Sequence, residues 1–185
     1  LKELDCSNNQ LPELNVQGLT VLQELDCRSN KLTELNVQGL TALKDLDCRE
    51  NNLTALDVQG LTALRMLDCS SNRLATLNTS DLTKLEDLKC NNNQLTSLNV
   101  QGCTSLKFLL CYSNKLNADA FIKLFRALPT RGENDNAIAT LYTEETSETE
   151  DNCKAFNTPD GLKAAFEDAK NNKKWMLMKM KAEGF

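Results

Sequence analysis

Residues 1–11 read LKELDCSNNQL, and residues 22–32 repeat the same pattern as LQELDCRSNKL. Four further copies follow at constant steps of 21 residues, so the pattern occurs six times before about residue 116. A period of this length predicts a solenoid in which each repeat forms one turn and stacks on its neighbours. The repeated positions include the cysteines Cys6, Cys27, Cys48, Cys69, Cys90 and Cys111, and the asparagines Asn9, Asn30, Asn51, Asn72, Asn93 and Asn114.

The unit L-x-x-L-D-C-x-x-N-x-L resembles the leucine-rich repeat L-x-x-L-x-L-x-x-N/C-x-L, with cysteine at the second strand position. It is similar to the 21-residue, cysteine-ladder class of bacterial surface proteins, which includes a cysteine-containing internalin. The resemblance covers residues 1 to about 116. It implies a leucine-rich-repeat solenoid with a parallel β-sheet on its concave side. It also implies a location outside the cytoplasm, at the cell surface or secreted.

Side chains alternate between the two faces of a strand, which assigns the first repeat residue by residue. Leu4 and Cys6 are expected to point into the core, while Glu3, Asp5 and Ser7 face outward on the concave surface. The V-Q-G-L-T stretch returns the chain along the convex side, where the short repeat predicts extended or 3₁₀ backbone. Residues 79–83 lose the Val-Gln-Gly part of this stretch, which predicts a different turn. Each repeated asparagine is expected to hydrogen-bond backbone groups of its own and adjacent turns.

The period stops after Leu116, and residues 117–185 are predicted to form an α/β cap that continues the sheet. The predicted elements are a helix from Ala118 to Leu128, a strand Ala137–Tyr142, a helix starting at Thr158-Pro159-Asp160 and a strand Trp175–Met180. The bulky residues expected to seal the core are Phe121, Phe125, Phe156, Phe166 and Trp175. An independent α/β domain is the alternative, although about 70 residues with few aliphatic side chains would be marginally stable alone. Because residues 1–116 are in phase from Leu1, an N-terminal cap, and any targeting sequence with it, is expected to be absent.

Composition and cysteine spacing weigh against several classes of function. The 185 residues carry a net charge of −5 with a pI near 4.9, which argues against nucleic-acid binding. No apolar run is long enough to span a membrane. Histidine is absent, which removes histidine-assisted catalysis and the commonest metal ligand. Cysteines 21 residues apart make no zinc motif, and neighbouring parallel strands hold them too far apart for disulfides. We therefore expect buried cysteines, no catalytic residues, no metal and no cofactor.

The concave columns, read by stepping 21 residues along the sequence, carry the candidate binding residues. Most of the surface is predicted to be a carboxylate field bordered by two arginines, which gives way to apolar and aromatic residues on the last strand. The predicted ligand-binding residues are Asp5, Asp26, Asp47, Asp68, Arg28, Arg49, Met66, Phe108, Leu110 and Tyr112. The apolar end is either an exposed partner site or covered by Ile138, Thr140 and Tyr142 or by the cap loop. Calcium is disfavoured because one carboxylate per strand, with no loop oxygens, gives too few ligands.

The sequence therefore predicts a non-catalytic module that binds a protein, or a glycan, on its concave face. Acidic columns would attract a basic partner, and the aromatic end would anchor it. Two alternatives stay open at this point. One is a structural spacer or stalk without a specific ligand. The other is an enzyme that uses the C-terminal segment, which the missing histidine weighs against.

Overall fold

The chain forms a parallel solenoid, seen in a computed structural model that describes residues 1–143, Asn152 and residues 160–180. Eight strands make one parallel sheet on the concave side, and two more pair on the convex side. The sheet strands, in spatial order, are β1 (Glu3–Asp5), β2 (Glu24–Asp26), β3 (Asp45–Asp47), β4 (Met66–Asp68), β6 (Asp87–Lys89), β8 (Phe108–Leu110), β9 (Ile138–Thr143) and β10 (Met176–Met180); the convex pair is β5 (Thr76–Asn78) and β7 (Ser97–Asn99). The predicted solenoid with a concave parallel sheet is confirmed.

The repeat sets the register of the sheet. From β1 to β8, each strand residue pairs with the residue at the same position of the next repeat, as Leu4 does with Leu25. The central leucine of each strand and the cysteine that follows it point into the core. Leu46, Leu67 and Leu88, for example, are completely buried. Identical side chains therefore stack in layers about 4.8 Å apart, which explains how a narrow core is filled with few aromatic residues.

The convex side is extended where β5 and β7 pair, and elsewhere it consists of short turns. In the first repeat Leu19 N donates to Val16 O at 3.2 Å, and Leu22 N donates to Leu19 O at 2.9 Å. Gly18, inside the turn that the first bond closes, has φ 80, a backbone conformation that a side chain would disfavour. Residues 79–83 were predicted to turn differently, and this expectation is wrong. Asp81 takes the glycine's place at φ 62 and keeps the turn, because aspartate tolerates the left-handed region.

The repeated asparagines satisfy the backbone where each turn leaves the sheet. Asn51 Nδ2 donates to the carbonyls of Cys27, Cys48 and Arg49 at 3.0–3.2 Å, and its Oδ1 accepts from Leu32 N at 3.0 Å. The same four bonds recur at Asn30, Asn72, Asn93 and Asn114. The predicted pairing with the asparagine's own and adjacent turns is confirmed. We call this set, with Asn9, the asparagine ladder.

The C-terminal part extends the same sheet by two larger turns. Helix α1 (Ala118–Ala127) follows β8 and starts at the predicted cap, where Asn117 Oδ1 accepts from Ala120 N at 2.9 Å. β9 then pairs with β8, and β10 pairs with β9, both in parallel. Helix α2 (Asp160–Glu167) continues into one π-helical turn (Asp168–Asn172) before β10. Thr158, Pro159 and Phe156 lie outside the described residues.

Asn152 adds a seventh rung to the asparagine ladder. Its Nδ2 donates to Cys111 O at 2.7 Å and to Leu141 O at 2.6 Å, and its Oδ1 accepts from Leu116 N at 2.8 Å. Each acceptor and donor lies one repeat beyond those used by Asn114. The strand and its asparagine thus form a seventh repeat. Ser113 and Asn114 are consecutive in the sixth repeat. The corresponding residues of the seventh repeat, Thr143 and Asn152, are separated in the sequence by residues 144–151.

Two side chains that precede β10, Lys173 and Trp175, hydrogen-bond to carbonyls at the C-terminal end of α1. Lys173 Nζ donates to the carbonyls of Phe125, Arg126 and Leu128 at 2.6–3.0 Å, and so occupies the C-terminal end of the helix. A cation there also interacts favourably with the helix dipole. The Trp175 indole, which is 1% exposed, donates through Nε1 to Pro129 O at 2.8 Å.

Candidate binding surface on the concave face

The cysteines line the core directly beneath the concave surface. Five of the six repeated cysteines are completely buried, Cys6 is half-buried, and Cys103 is 1% exposed. Burial raises the pKa of the Cys27 thiol to about 12, and it raises the pKa of the Cys48 thiol well above its ordinary value. The predicted burial of these side chains is confirmed for every repeat except the first. Cys153 lies outside the described residues.

Native-state alkylation should therefore separate Cys6 from the rest of the ladder. A pKa of about 12 in place of 9.0 leaves very little thiolate on Cys27 at pH 8, and burial also blocks the reagent. We expect iodoacetamide to modify Cys27, Cys48 and Cys69 at least a hundredfold more slowly than Cys6, as mapped by peptide mass spectrometry. In urea all the sites should react at similar rates. Equal rates in the folded protein would contradict the buried ladder.

The second concave column, which starts at Asp5, and the third, which starts at Ser7, together form an alternating series of charges. The ion-pair ladder consists of Asp26, Arg28, Asp47, Arg49, Asp68 and Lys89. Nitrogen–oxygen distances along it lie between 3.3 and 3.8 Å, so each arginine bridges the aspartate of its own repeat and that of the next. The two arginines that were predicted to border the carboxylate field form ion pairs with its aspartates. The guanidinium groups lie between the carboxylates and neutralise them.

Two aspartates of the ion-pair ladder are also buried, against the prediction that they face solvent. Asp47 is 8% exposed and Asp68 is 3% exposed. Asp68 Oδ1 accepts from Ser70 Oγ at 2.6 Å as well as from Ser70 N at 3.1 Å. Burial raises the pKa of Asp47, while the backbone N–H of Arg49 acts in the opposite direction. These carboxylates are already occupied by protein groups, so they offer little to an external ligand.

The first concave column keeps its carboxylates free. The outer acidic column consists of Glu3, Glu24, Asp45 and Asp87, and Met66 interrupts it. Within the described residues none of these four makes an ion pair or a side-chain hydrogen bond. In the column preceding it, side chains bond to the same position of the neighbouring repeat. Lys44 Nζ donates to Gln23 Oε1 at 2.9 Å, and Lys107 pairs with Glu86. Asp5, at the exposed end of the second column, accepts from Ser7 N, which lowers its pKa.

The predicted aromatic end is wider than the sequence indicated. Phe108, Leu110 and Tyr112 are all partly exposed. The register places Ile138 beside Phe108, and Met176 beside Ile138 in turn, while Met178 lies one row further on. β9 therefore lies beside Phe108 and Leu110 in the sheet and does not cover them. The apolar patch consists of Phe108, Leu110, Tyr112, Ile138, Met176 and Met178, of which Met176 and Met178 are 54% and 43% exposed.

Sequence reasoning missed the two methionines. The segment WMLMKM was predicted to be a strand whose Trp175 seals the core, and Trp175 is indeed buried, but its methionines were given no role. The alternation of Met176 and Met178 around Leu177 was the available signal, because alternate residues of a strand share a face. A shallow hollow of about 400 Å³, lined in part by Asp87, Lys89 and Phe108, joins the patch to the acidic column.

Within the described residues, no three or more histidine, cysteine or carboxylate side chains are arranged to hold a metal ion. Over the same ranges, no helix combines the length and hydropathy needed to cross a membrane.

Comparisons with known proteins bear on the fold. No family model matches the chain, and neither does any curated protein sequence. Among solved structures, the chain is similar to the functional domain of InlJ from Listeria monocytogenes, which includes a cysteine ladder. The two are 30% identical, with a TM-score of 0.51, and the alignment covers 79% of this chain and 36% of that one. The chain thus spans little more than a third of the length of the structure it matches.

Proposed function

Because this chain is a leucine-rich-repeat solenoid of the cysteine-ladder class, we propose that it is a protein-binding module of a bacterial surface or secreted protein. Its ligand binds the concave face, and the chain performs no catalysis. The observation that carries the proposal is the apolar patch. The proposed location rests on the likeness to InlJ, a protein of the bacterium Listeria monocytogenes, and on the resemblance of the repeat to those of bacterial surface proteins.

The composition of the patch supports protein recognition. Large apolar side chains that stay partly exposed on three adjacent strands are typical of partner surfaces, and tyrosine is enriched where binding energy concentrates. Exposed methionines such as Met176 and Met178 adapt to varied apolar partners because the side chain is unbranched and flexible. The rigid sheet beneath them holds the patch in place, so binding would not require ordering of the backbone.

The test is a binding screen against a panel of immobilised extracellular ectodomains. The wild-type chain is compared with the triple variant Phe108→Ala/Leu110→Ser/Tyr112→Ala, and the fold of each is checked by circular dichroism. We expect at least one ectodomain whose affinity falls tenfold or more in the triple variant, since these side chains would anchor it.

A matched control removes an exposed apolar side chain elsewhere. Val21 is 56% exposed and lies outside the concave strands, so Val21→Ser should leave binding unchanged. Binding that survives the triple variant would contradict the concave site. Absence of binding to every ectodomain would count against the proposed function and favour a structural spacer.

A further inference from the structure

We infer that the apolar patch receives an extended protein segment of fixed polarity, in which apolar side chains lie on the patch and basic side chains lie next to it, over Asp87 and Asp45. The inference rests on the proposed function and adds the chemistry and direction of the partner. It follows from which charges beside the patch are free and which are already bound.

At the border of the patch toward the repeats, the charge that is not already ion-paired is that of carboxylates. Asp87 is the register neighbour of Phe108, and within the described residues it has no ion pair. Lys89, the register neighbour of Leu110, is held by Asp68 at 3.8 Å. The ion-pair ladder has three aspartates and three cations, so its formal charge is zero. A segment leaving the patch across the sheet therefore meets unpaired carboxylates first at Asp87 and then at Asp45.

The alternative direction is less favourable for a cationic segment. On the far side of the patch, Lys174 precedes β10 and pairs with Glu133 at 3.7 Å, much as Lys89 pairs with Asp68. Within the described residues, the carboxylates of the first concave column that make no ion pair therefore lie only on the side of the repeats, at Asp87 and Asp45 next to the patch. A partner segment with basic residues at one end is thus complementary in only one orientation, which is how charge sets register in an interface.

Dimensions give the length of the segment. Asp45 on β3 and Met176 on β10 are five strand spacings apart in the sheet order. At about 4.8 Å per spacing this is roughly 24 Å, which an extended chain crosses in about seven residues at 3.3 Å each. A dodecapeptide is therefore long enough to touch both ends.

The experiment uses phage-displayed random dodecapeptides, selected on the full chain and depleted on the Phe108→Ala/Leu110→Ser/Tyr112→Ala variant. We expect the enriched peptides to combine two or more aliphatic or aromatic residues with lysine or arginine clustered toward one end. A synthetic copy of an enriched peptide should bind the Asp45→Asn/Asp87→Asn variant about threefold to tenfold more weakly, as exposed ion pairs permit. Its affinity for wild type should also fall with added salt.

A matched control makes the same change in charge away from the patch. Glu13 and Glu34 are exposed and lie outside the concave strands, so Glu13→Gln/Glu34→Gln should leave peptide affinity unchanged. Peptides that need the patch but are indifferent to Asp45→Asn/Asp87→Asn would overturn the inference and leave the proposed function standing. Selected peptides that also bind the triple variant, or a selection without enrichment, would overturn both.

Discussion

Asn72→Ala is expected to lower the free energy of unfolding by about 3 kcal/mol, although the side chain is small and touches no ligand surface. Asn72 is 8% exposed, and its Nδ2 reaches the carbonyls of Cys48, Cys69 and Ser70 at 3.0–3.2 Å. Its Oδ1 accepts from Leu53 N at 2.9 Å. Alanine would leave the buried Leu53 N–H without a partner, which costs about 1–3 kcal/mol. It would also remove three further bonds, to carbonyls that each keep one partner, from Asn51, Asn93 and the backbone N–H of Glu50. Urea unfolding followed by circular dichroism measures the loss.

The same ladder provides the control and a second readout. Asn9 is exposed, and among the described residues its side chain donates only to carbonyls of its own turn, so Asn9→Ala should cost less than about 1 kcal/mol. If Asn152 is the seventh rung, Asn152→Ala should resemble Asn72→Ala, while removal of residues 144–151 should preserve the cooperative transition. Equal, small effects of Asn72→Ala and Asn9→Ala would show that the ladder does not stabilise the fold.

The repeat made this ladder predictable, because every member occupies the same position in a constant period. Strand register, burial of the cysteines and the asparagine bonds all follow from one repeating unit, since a period of 21 places like residues side by side. The cap elements were found within one residue at their described ends by local signals. Asn117 starts α1, and Pro129 follows it.

The individual pairs of the ion-pair ladder were not predicted, and the reason is geometric. Reading columns at steps of 21 compares residues that lie directly side by side. Arg28 reaches Asp47, and Arg49 reaches Asp68, each 19 residues on and therefore diagonally placed in the next repeat. The columns thus placed arginines beside the aspartates but did not show which arginine reaches which carboxylate.

The seventh repeat was not recognised in the sequence for a different reason. Its strand has Ala139 and Leu141 where the other repeats have leucine and cysteine, and the intervening residues separate its asparagine from the strand. Spacing alone carries no signal once the period is broken. The relation between Asn152 and Leu116 becomes visible only through the bond that joins them.

A pair of core residues that both depart from the repeat also shows that contacts between turns are not visible in the sequence pattern. Thr79 occupies a position that is valine in four other repeats, and it is completely buried. Its Oγ1 donates to Asn99 O at 3.0 Å, and Cys103 Sγ donates to Thr79 O at 3.0 Å. Cys103 stands where the earlier repeats have leucine. Each departure from the repeat looks like an isolated exception in the sequence, whereas in the fold the two residues are partners across adjacent turns.

Trp175→Ala is expected to have the largest effect on the cap, about 3–5 kcal/mol, the usual cost of removing a large aromatic side chain from a packed core. Trp175 is 1% exposed within the same cluster as Leu162 and Ala169, and its indole holds Pro129 at the end of α1. Because it is the sole tryptophan, its fluorescence in the wild-type chain reports cap unfolding, while circular dichroism reports the whole sheet.

A cap that continues the sheet should unfold together with the repeats. The two probes should therefore give one urea midpoint in the wild-type chain, because β8, β9 and β10 share hydrogen bonds and one core. Trp175→Phe keeps a ring but loses the bond to Pro129 O, so its cost should fall clearly below that of alanine. Separate midpoints for fluorescence and circular dichroism, with Trp175→Ala leaving the main transition unchanged, would instead favour a cap that folds as an independent unit. The seventh asparagine rung argues for the joint transition, since Asn152 bonds to the last turn of the repeats and to β9 at once.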